Sequence, residues 1–115
     1  MKRNSEVKAD MKFLVVAKLR EIPPVPPEQS AALSVAEWQT VQQFLKEGKT
    51  EVAYALAGLK GGMGISEAES GAEINRRLSR LPLFPFLDIE IYPLMTVDEA
   101  LTQAKEWLEA IKAKR

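Results

Sequence analysis

The sequence predicts an α+β domain in which two helices cover one face of a four-stranded antiparallel sheet. Two observations carry the prediction. Apolar and polar residues alternate in three short segments, as they do in half-buried strands. Three Ser/Thr-x-x-Glu sequences mark helix starts between and after the predicted strands. The order is strand, helix, strand, strand, helix, strand, then one added helix, and its first six elements form the βαββαβ pattern of ferredoxin-like domains.

Composition limits the function classes. The 115 residues suit one domain, and 16 basic residues balance 16 acidic ones, so we expect no nucleic-acid partner. The chain has neither cysteine nor histidine, so thiol chemistry and the commonest metal ligand are excluded, and we predict no metal site and no cofactor. No apolar run is long enough to cross a bilayer, and we expect a cytoplasmic protein with no membrane partner. Residues 1–10 are polar and are predicted to be a disordered extension before a domain at 11–95.

The first strand is predicted at 12–20 and has apolar residues on both faces. Phe13, Val15, Ala17 and Leu19 line one face, while Leu14 and Val16 lie on the other. Helices would cover only one of these faces. An uncovered apolar sheet face usually marks an interface, so the sequence predicts a homo-oligomer, a dimer at least, joined through this face.

The first helix has two candidate starts. Ser34 and Glu37 match a capping box, which would begin the helix at Ser34 and give Glu37 a capping role. Pro27 could instead open a longer helix, because proline is tolerated in the first turn, and we favour this version. The helix ends before Gly48, a residue suited to the left-handed position after a last turn.

The middle of the chain predicts a hairpin and a second helix. A strand at 51–59 alternates larger residues with Ala53, Ala55 and Ala57, and this small-residue face leaves room for a close neighbour. Glycines at 58–64 predict the turn, and a third strand at 63–68 follows. The second helix opens at Ser70, and its arginines, Arg76, Arg77 and Arg80, are interpreted as a solvated face.

A stretch rich in proline and aromatic residues, 81–93, leads into the fourth strand. Pro82 and Pro85 predict a helix stop and an extended connector. Leu87, Ile89 and Ile91 then alternate with Asp88, Glu90 and Tyr92, and Phe86 is assigned to the same face as Tyr92. The paired carboxylates of Asp88 and Glu90 fit salt bridges better than catalysis.

The final segment, 96–115, is predicted to be an additional helix. Thr96 and Glu99 form a capping box, and apolar residues recur three and four positions apart. This stripe is broad enough to pack on the same chain or on a partner subunit. Its members are Val97, Ala100, Leu101, Ala104, Trp107, Leu108 and Ile111.

Three pieces of sequence, with the spacing between them, resemble the muconolactone isomerase family of dimeric α+β barrels. They are Glu47-Gly48, Ala57-Gly58 and the run Leu-Pro-Leu-Phe-Pro-Phe-Leu-Asp-Ile-Glu at 81–90. The resemblance spans about 11–94. It implies a role in aromatic compound catabolism, a proton-shift isomerisation of a small unsaturated lactone, and a dimer or a larger ring of dimers.

The resemblance also implies site residues. Glu37 falls on the position of the family's catalytic glutamate, and a carboxylate can move a proton next to a carbonyl. The family's tryptophan, arginine and histidines of the second strand and following turn are missing here. Tyr54, Lys18, Arg20 and Lys60 are the candidates to bind a substrate in their place. The sequence therefore supports two functions, a Glu37-dependent isomerase and a non-catalytic protein that binds a small anionic or apolar ligand or mediates oligomerisation.

Overall fold

The computed structural model describes residues 11–114, and the predicted order of elements is confirmed. The extension predicted at 1–10 lies outside the described residues. The elements are β1 (Met11–Leu19), α1 (Pro27–Lys46), β2 (Thr50–Ala55), β3 (Gly61–Ala68), α2 (Gly71–Leu78), a 3₁₀ turn (Phe84–Phe86), β4 (Leu87–Pro93) and α3 (Val97–Ala113).

The four strands form one antiparallel sheet in the order β2-β3-β1-β4. The central strand, β1, pairs with both β3 and β4, so Val15 lies between Gly64 and Ile91. Because side chains alternate across a strand, Val15 and its ladder partners share the face that α1 and α2 cover. A register shift between Thr50 and Val52 on β2 marks a bulge.

The core lies between this sheet face and the two helices. Ile74 of α2 is fully buried, and Phe44 of α1 is nearly so. Arg80 lies over the Phe44 ring, 5.2 Å from its centroid, at the open side of the core. The other buried apolar residues are Phe13, Val15, Ala68, Leu78, Leu81, Leu83 and Leu87.

The segment before β4 differs from its prediction. It contains a 3₁₀ turn at Phe84–Phe86 and not an extended connector. The φ angle that proline imposes suits a 3₁₀ turn as well as an extended chain, so Pro85 alone does not decide between them. The turn also directs Phe86 to the core rather than to the open sheet face.

The β2–β3 turn depends on glycine at one position in particular. Gly61 has φ +140°, and a Cβ there would overlap the backbone carbonyl of Ala17 on β1. Leu19 N–H donates to the carbonyl of Lys60 at 2.8 Å, which ties the same turn to β1. The turn is therefore held against the end of the central strand.

The opposite face of the sheet is not covered by any helix within residues 11–114. Its centre is apolar, with Leu14 and Val16 on β1 beside Met63 and Ile65 on β3, all half-buried. Tyr92 extends this surface on β4 and is exposed. We call the surface formed by these five residues the open sheet face. Its apolar character is as predicted for an interface.

The last helix, α3, differs from the rest of the domain because all of its residues are exposed. Trp107 is 70% exposed and Val97 83%. The expectation that its apolar stripe packs on the same chain is therefore wrong, and a partner subunit is the alternative that remains. Among the described residues, no helix has the length and apolarity needed to span a membrane.

Candidate functional site

Glu37 lies in the middle of the buried face of α1. Leu33, Glu37, Val41 and Phe44 recur four, four and three residues apart, so they share the side of the helix that faces the sheet. Glu37 is only 8% exposed. An acidic side chain at the centre of an apolar helix face is unusual, because burial disfavours its charged form.

The carboxyl of Glu37 has one described hydrogen-bond partner, the backbone of Leu83. Leu83 N–H donates to Glu37 Oε1 at 2.8 Å. Burial raises the pKa of Glu37, and the hydrogen bond from Leu83 opposes that rise in pKa. Within residues 11–114 Glu37 forms no salt bridge. The arrangement holds one carboxyl oxygen in place, and no residue in the described part of the chain donates a hydrogen bond to Oε2.

This geometry decides between the two roles that the sequence left open for the Ser34–Glu37 pair. The helix begins at Pro27 with Pro26 as its N-terminal cap, as favoured from the sequence. Ser34 therefore lies inside the helix, where the backbone N–H groups already have partners one turn back. Glu37 does not cap α1 but connects it to the segment before β4.

A second contact fixes that segment from the other side. The guanidinium of Arg20, directly after β1, donates to the carbonyl oxygens of Pro85 at 2.6 Å and Leu87 at 3.3 Å. It also meets the carboxylate of Asp88 at 3.3 Å. Arg20 and Glu37 together hold the proline-rich stretch at both ends. The guanidinium of Arg20 is thus engaged in contacts that stabilise the fold.

Trp38 lies against the backbone of β3 at Gly62. A Cβ on Gly62 would lie 2.9 Å from the outer ring carbon of Trp38 and 3.1 Å from the Tyr54 carbonyl oxygen. The indole therefore rests on the backbone of β3 at Gly62, next to Ala55 on β2. Ala55, one of the small residues of β2, pairs with Gly62 but is itself exposed.

The candidate substrate-binding residues do not meet Glu37 within one chain. Tyr54 pairs with Met63 and Lys18 pairs with Gly61 and Asp88, which puts both side chains on the side of the sheet opposite Glu37. Tyr54 is 65% exposed. Lys60 lies in the turn before β3, at one end of the sheet, and is exposed.

Arg77 is buried, so its assignment to a solvated face of α2 is wrong. Its side chain is only 6% exposed, and Nη1 donates to the carbonyl oxygens of Glu67 at 2.9 Å and Lys49 at 3.3 Å. The burial of Arg77 could have been predicted from its position, three residues after Ile74 on the apolar stripe of α2. It links α2 to the start of β2 and the end of β3, so its role is structural and not that of a solvated charge.

A surface groove runs between α1 and α2, outside the core. It is lined by Gln39, Gln43, Glu47 and Arg80, with Phe44 at its base. Glu37 does not line this groove. The groove is therefore separate from the site of Glu37.

Comparison with known proteins agrees with the architecture and with the resemblance in sequence. A family model described as muconolactone delta-isomerase matches residues 11–100. Muconolactone Delta-isomerase 2 of Acinetobacter lwoffii is 33% identical over 67 residues, which cover 58% of this chain and 70% of that protein. The Rhodococcus opacus muconolactone Delta-isomerase is 33% identical over 79 residues, 69% of this chain and 82% of that protein.

Solved structures show the same fold. A crystal structure of muconolactone isomerase superposes with a TM-score of 0.66 at 26% identity, covering 75% of this chain and 90% of that one. A 5-chloro-2-hydroxyhydroquinone dehydrochlorinase of Burkholderia phenoliruptrix gives a TM-score of 0.60 at 18% identity, covering 77% and 98% of the two chains. The family model spans most of this chain, and the chain belongs to the muconolactone delta-isomerase family.

Proposed function

We propose that this protein moves a proton on a small unsaturated lactone or cyclic carbonyl acid, with Glu37 as the acid and base. The observation that carries the proposal is the buried carboxyl of Glu37, held by Leu83 N–H at 2.8 Å with its pKa raised by burial. A raised pKa lies closer to neutral pH, and a carboxyl with such a pKa can both accept and return a proton.

The reaction follows from a single carboxylate. Glu37 Oε2 takes a proton from the carbon attached to the far end of the C=C bond that is conjugated with the carbonyl, and the electron pair of that C–H bond delocalises to give a dienolate. The same oxygen returns the proton at a different carbon, so the double bond changes position. No oxidant, reductant or second substrate is consumed. The hydrogen bond from Leu83 to Oε1 keeps the carboxyl in one orientation through both transfers.

The same site lacks stabilisation for the enolate. Within the described part of the chain no cation forms an ion pair with Glu37, and Lys18 and Tyr54 lie across the sheet. Lys18 and Tyr54 would contact a ligand that is held between the facing sheets of two subunits. Lys60 lies in the turn at one end of the sheet. Positioned acid–base help alone gives about 10²–10⁴-fold, so we expect weak or no turnover of muconolactone itself.

Isomerisation of muconolactone, followed by ultraviolet absorbance, tests the proposal. Wild-type protein is compared with Glu37→Gln, and Glu28→Gln serves as the control because Glu28 is an exposed glutamate on the same helix. We expect slow turnover that Glu37→Gln abolishes and Glu28→Gln leaves unchanged. Activity that survives in Glu37→Gln would remove Glu37 from the mechanism, and rapid wild-type turnover would overturn the expectation of weak activity.

A second candidate, a non-catalytic protein that binds a small ligand, is favoured by one observation. Within residues 11–114 Glu37 has no ion-pair partner, and its hydrogen bond from Leu83 N–H already gives it a structural role. In this case Glu37 is a buried link between α1 and the segment before β4. Titration of small lactones against the fluorescence of Trp38, in a Trp107→Phe background, would then show binding that is equal in wild type and Glu37→Gln, with no turnover.

The assembly belongs to the same proposal. The structural match to muconolactone isomerase is consistent with a homo-oligomer. We propose a dimer or a ring of dimers in which the open sheet faces of two copies meet. Leu14, Val16, Met63 and Ile65 support this, because they are apolar, central on the sheet and without a covering helix among the described residues.

A further inference from the structure

The helix α3 is well formed but makes no core of its own. Its start is fixed locally, because Thr96 Oγ1 accepts from Glu99 N–H at 3.0 Å and the Glu99 carboxylate accepts from Thr96 N–H at 2.8 Å. Every residue from Val97 to Ala113 is nevertheless exposed. Helices in proteins owe most of their stability to the packing of an apolar face against other elements. The apolar side of α3 therefore needs a surface that this chain does not supply among residues 11–114.

Five apolar residues of α3 follow a seven-residue repeat, and Ala100 and Trp107 lie beside them on one flank. The five are spaced by four, three, four and three residues, which is the pattern of the a and d positions of a coiled coil. The opposite side is polar and includes Thr102, Glu106 and Glu109. A row of a and d positions is the surface through which one helix packs against another in a coiled coil. We call this row the α3 seam, and its members are Val97, Leu101, Ala104, Leu108 and Ile111.

Charge selects the direction of the second helix. The first turn of α3 is acidic at Asp98 and Glu99, and its end is basic at Lys112 and Lys114. Two parallel copies would bring acidic turns together and basic turns together. Two antiparallel copies place each acidic first turn beside a basic last turn, and they also oppose the two helix dipoles. The sequence of α3 is thus complementary to itself in the antiparallel direction.

We propose that α3 of one copy pairs with α3 of a second copy as an antiparallel two-helix contact through the α3 seam. Leu101 packs against Ile111 of the second copy, and Ala104 packs against its Leu108. The small side chain of Ala104 allows the two helix axes to approach closely near the centre of the contact. This interface is separate from the open sheet face, so use of both joins more than two chains.

The flanking residues fit this register. Asp98 lies opposite Lys112 of the second copy at both ends of the contact. Trp107 lies near the two-fold axis, where the two indoles cover one side of the seam. Lys105 lies near the axis on the other side, and its long side chain carries the ammonium outward to water. The register therefore has two opposite-charge pairs and one like-charge pair.

Cysteine cross-linking tests both the partner and the direction, and the chain has no native cysteine. Leu101→Cys and Ile111→Cys are made in the full chain, one of them carrying a mass tag. In the antiparallel register these two cysteines meet only between different variants, since equal positions lie about 15 Å apart along the axis. We expect a disulfide in the mixture and none in either variant alone.

The matched control places cysteines on the polar side of α3, as Thr102→Cys mixed with Glu109→Cys, and should give no disulfide. Disulfides in Leu101→Cys alone would show a parallel pair and overturn the proposal. Absence of a disulfide in the mixture would overturn it as well.

Mass in solution gives an independent measurement. Leu101→Lys places a charge in the seam without touching the core of the domain, so its circular dichroism spectrum should stay that of a folded protein. We expect sedimentation equilibrium to give a smaller mass for Leu101→Lys, that of the dimer joined through the open sheet face, and the full wild-type mass for Thr102→Lys. An unchanged mass for Leu101→Lys would contradict the α3 contact.

Discussion

The carboxyl of Glu37 on α1 accepts a hydrogen bond from the backbone N–H of Leu83, 46 residues later in the chain, at 2.8 Å. This contact joins the candidate acid–base residue to the segment most similar to the family. The Leu-Pro-Leu-Phe-Pro run is thus more than a connector, since its backbone sets the orientation of a buried carboxyl.

The pH dependence of stability should reveal Glu37. Its folded pKa is raised by burial, so below the ordinary glutamate pKa of about 4.3 the carboxyl is protonated in both states and stability is full. As pH rises through the raised pKa, the folded state must ionise a buried group and stability falls. Urea unfolding between pH 4 and 8 should show a decline in wild type that Glu37→Gln lacks and Glu28→Gln keeps. A decline of equal size in Glu37→Gln would contradict this assignment.

Removing the acceptor should have a separate cost. Glu37→Leu leaves the N–H of Leu83 buried without a partner, and an unsatisfied buried donor costs about 1–3 kcal/mol. Glu37→Gln keeps a carbonyl oxygen at the same place and should avoid this loss at low pH. Urea unfolding at pH 4 compares the two variants. Equal stability of the Leu and Gln variants would mean that the hydrogen bond contributes nothing.

Arg77 should be required for stability although it is charged and lies on a helix. Arg77→Met keeps the aliphatic length but removes the donors to Glu67 and Lys49. We expect a loss of about 1–3 kcal/mol in unfolding free energy, measured by thermal or urea unfolding. The neighbouring Arg76 is exposed, so Arg76→Met should change stability by less than about 0.5 kcal/mol. Similar effects for the two variants would refute a structural role for Arg77.

The contact between Gly62 and Trp38 should not tolerate a methyl group. Gly62→Ala puts a Cβ against the indole and the Tyr54 carbonyl, and overpacking of this kind costs about 1–3 kcal/mol. Gly71→Ala is the control, because a Cβ there meets nothing within 4 Å. In a Trp38→Phe background the cost of Gly62→Ala should shrink, as the smaller ring gives way. A cost independent of residue 38 would show that the backbone contact alone resists the methyl group.

The open sheet face should carry an interface. Val16→Asp places a charge at its centre, and a buried unpaired charge costs several kcal/mol, so the assembly should dissociate or the chain unfold. Light scattering at micromolar concentration measures the mass. Val35→Asp is the control, since Val35 lies on the exposed side of α1. Wild-type protein that scatters as a monomer, or Val16→Asp with an unchanged mass, would count against the interface.

The sequence was sufficient for the order of strands and helices, because alternation in β1 and β4 and the capping box at Thr96 are local signals. Contacts between distant residues were less accessible. Nothing near Glu37 in sequence indicates that Leu83 will meet it, and the capping-box match at Ser34 offered a competing role. Arg77 was misassigned because charge outweighed its position on an apolar stripe. Lys18 and Tyr54 could be placed on a face only once the strand register and the bulge in β2 were known.

The chain has two tryptophans, and the fold separates them. Trp38 rests on the sheet at Gly62, whereas Trp107 is 70% exposed on α3. Intrinsic fluorescence can therefore follow two processes independently. In Trp107→Phe the fluorescence of the remaining Trp38 should respond to denaturant at any protein concentration. In Trp38→Phe the emission of the remaining Trp107 should shift to the blue as the protein concentration rises. A single optical signal would then distinguish folding of the domain from association of its copies.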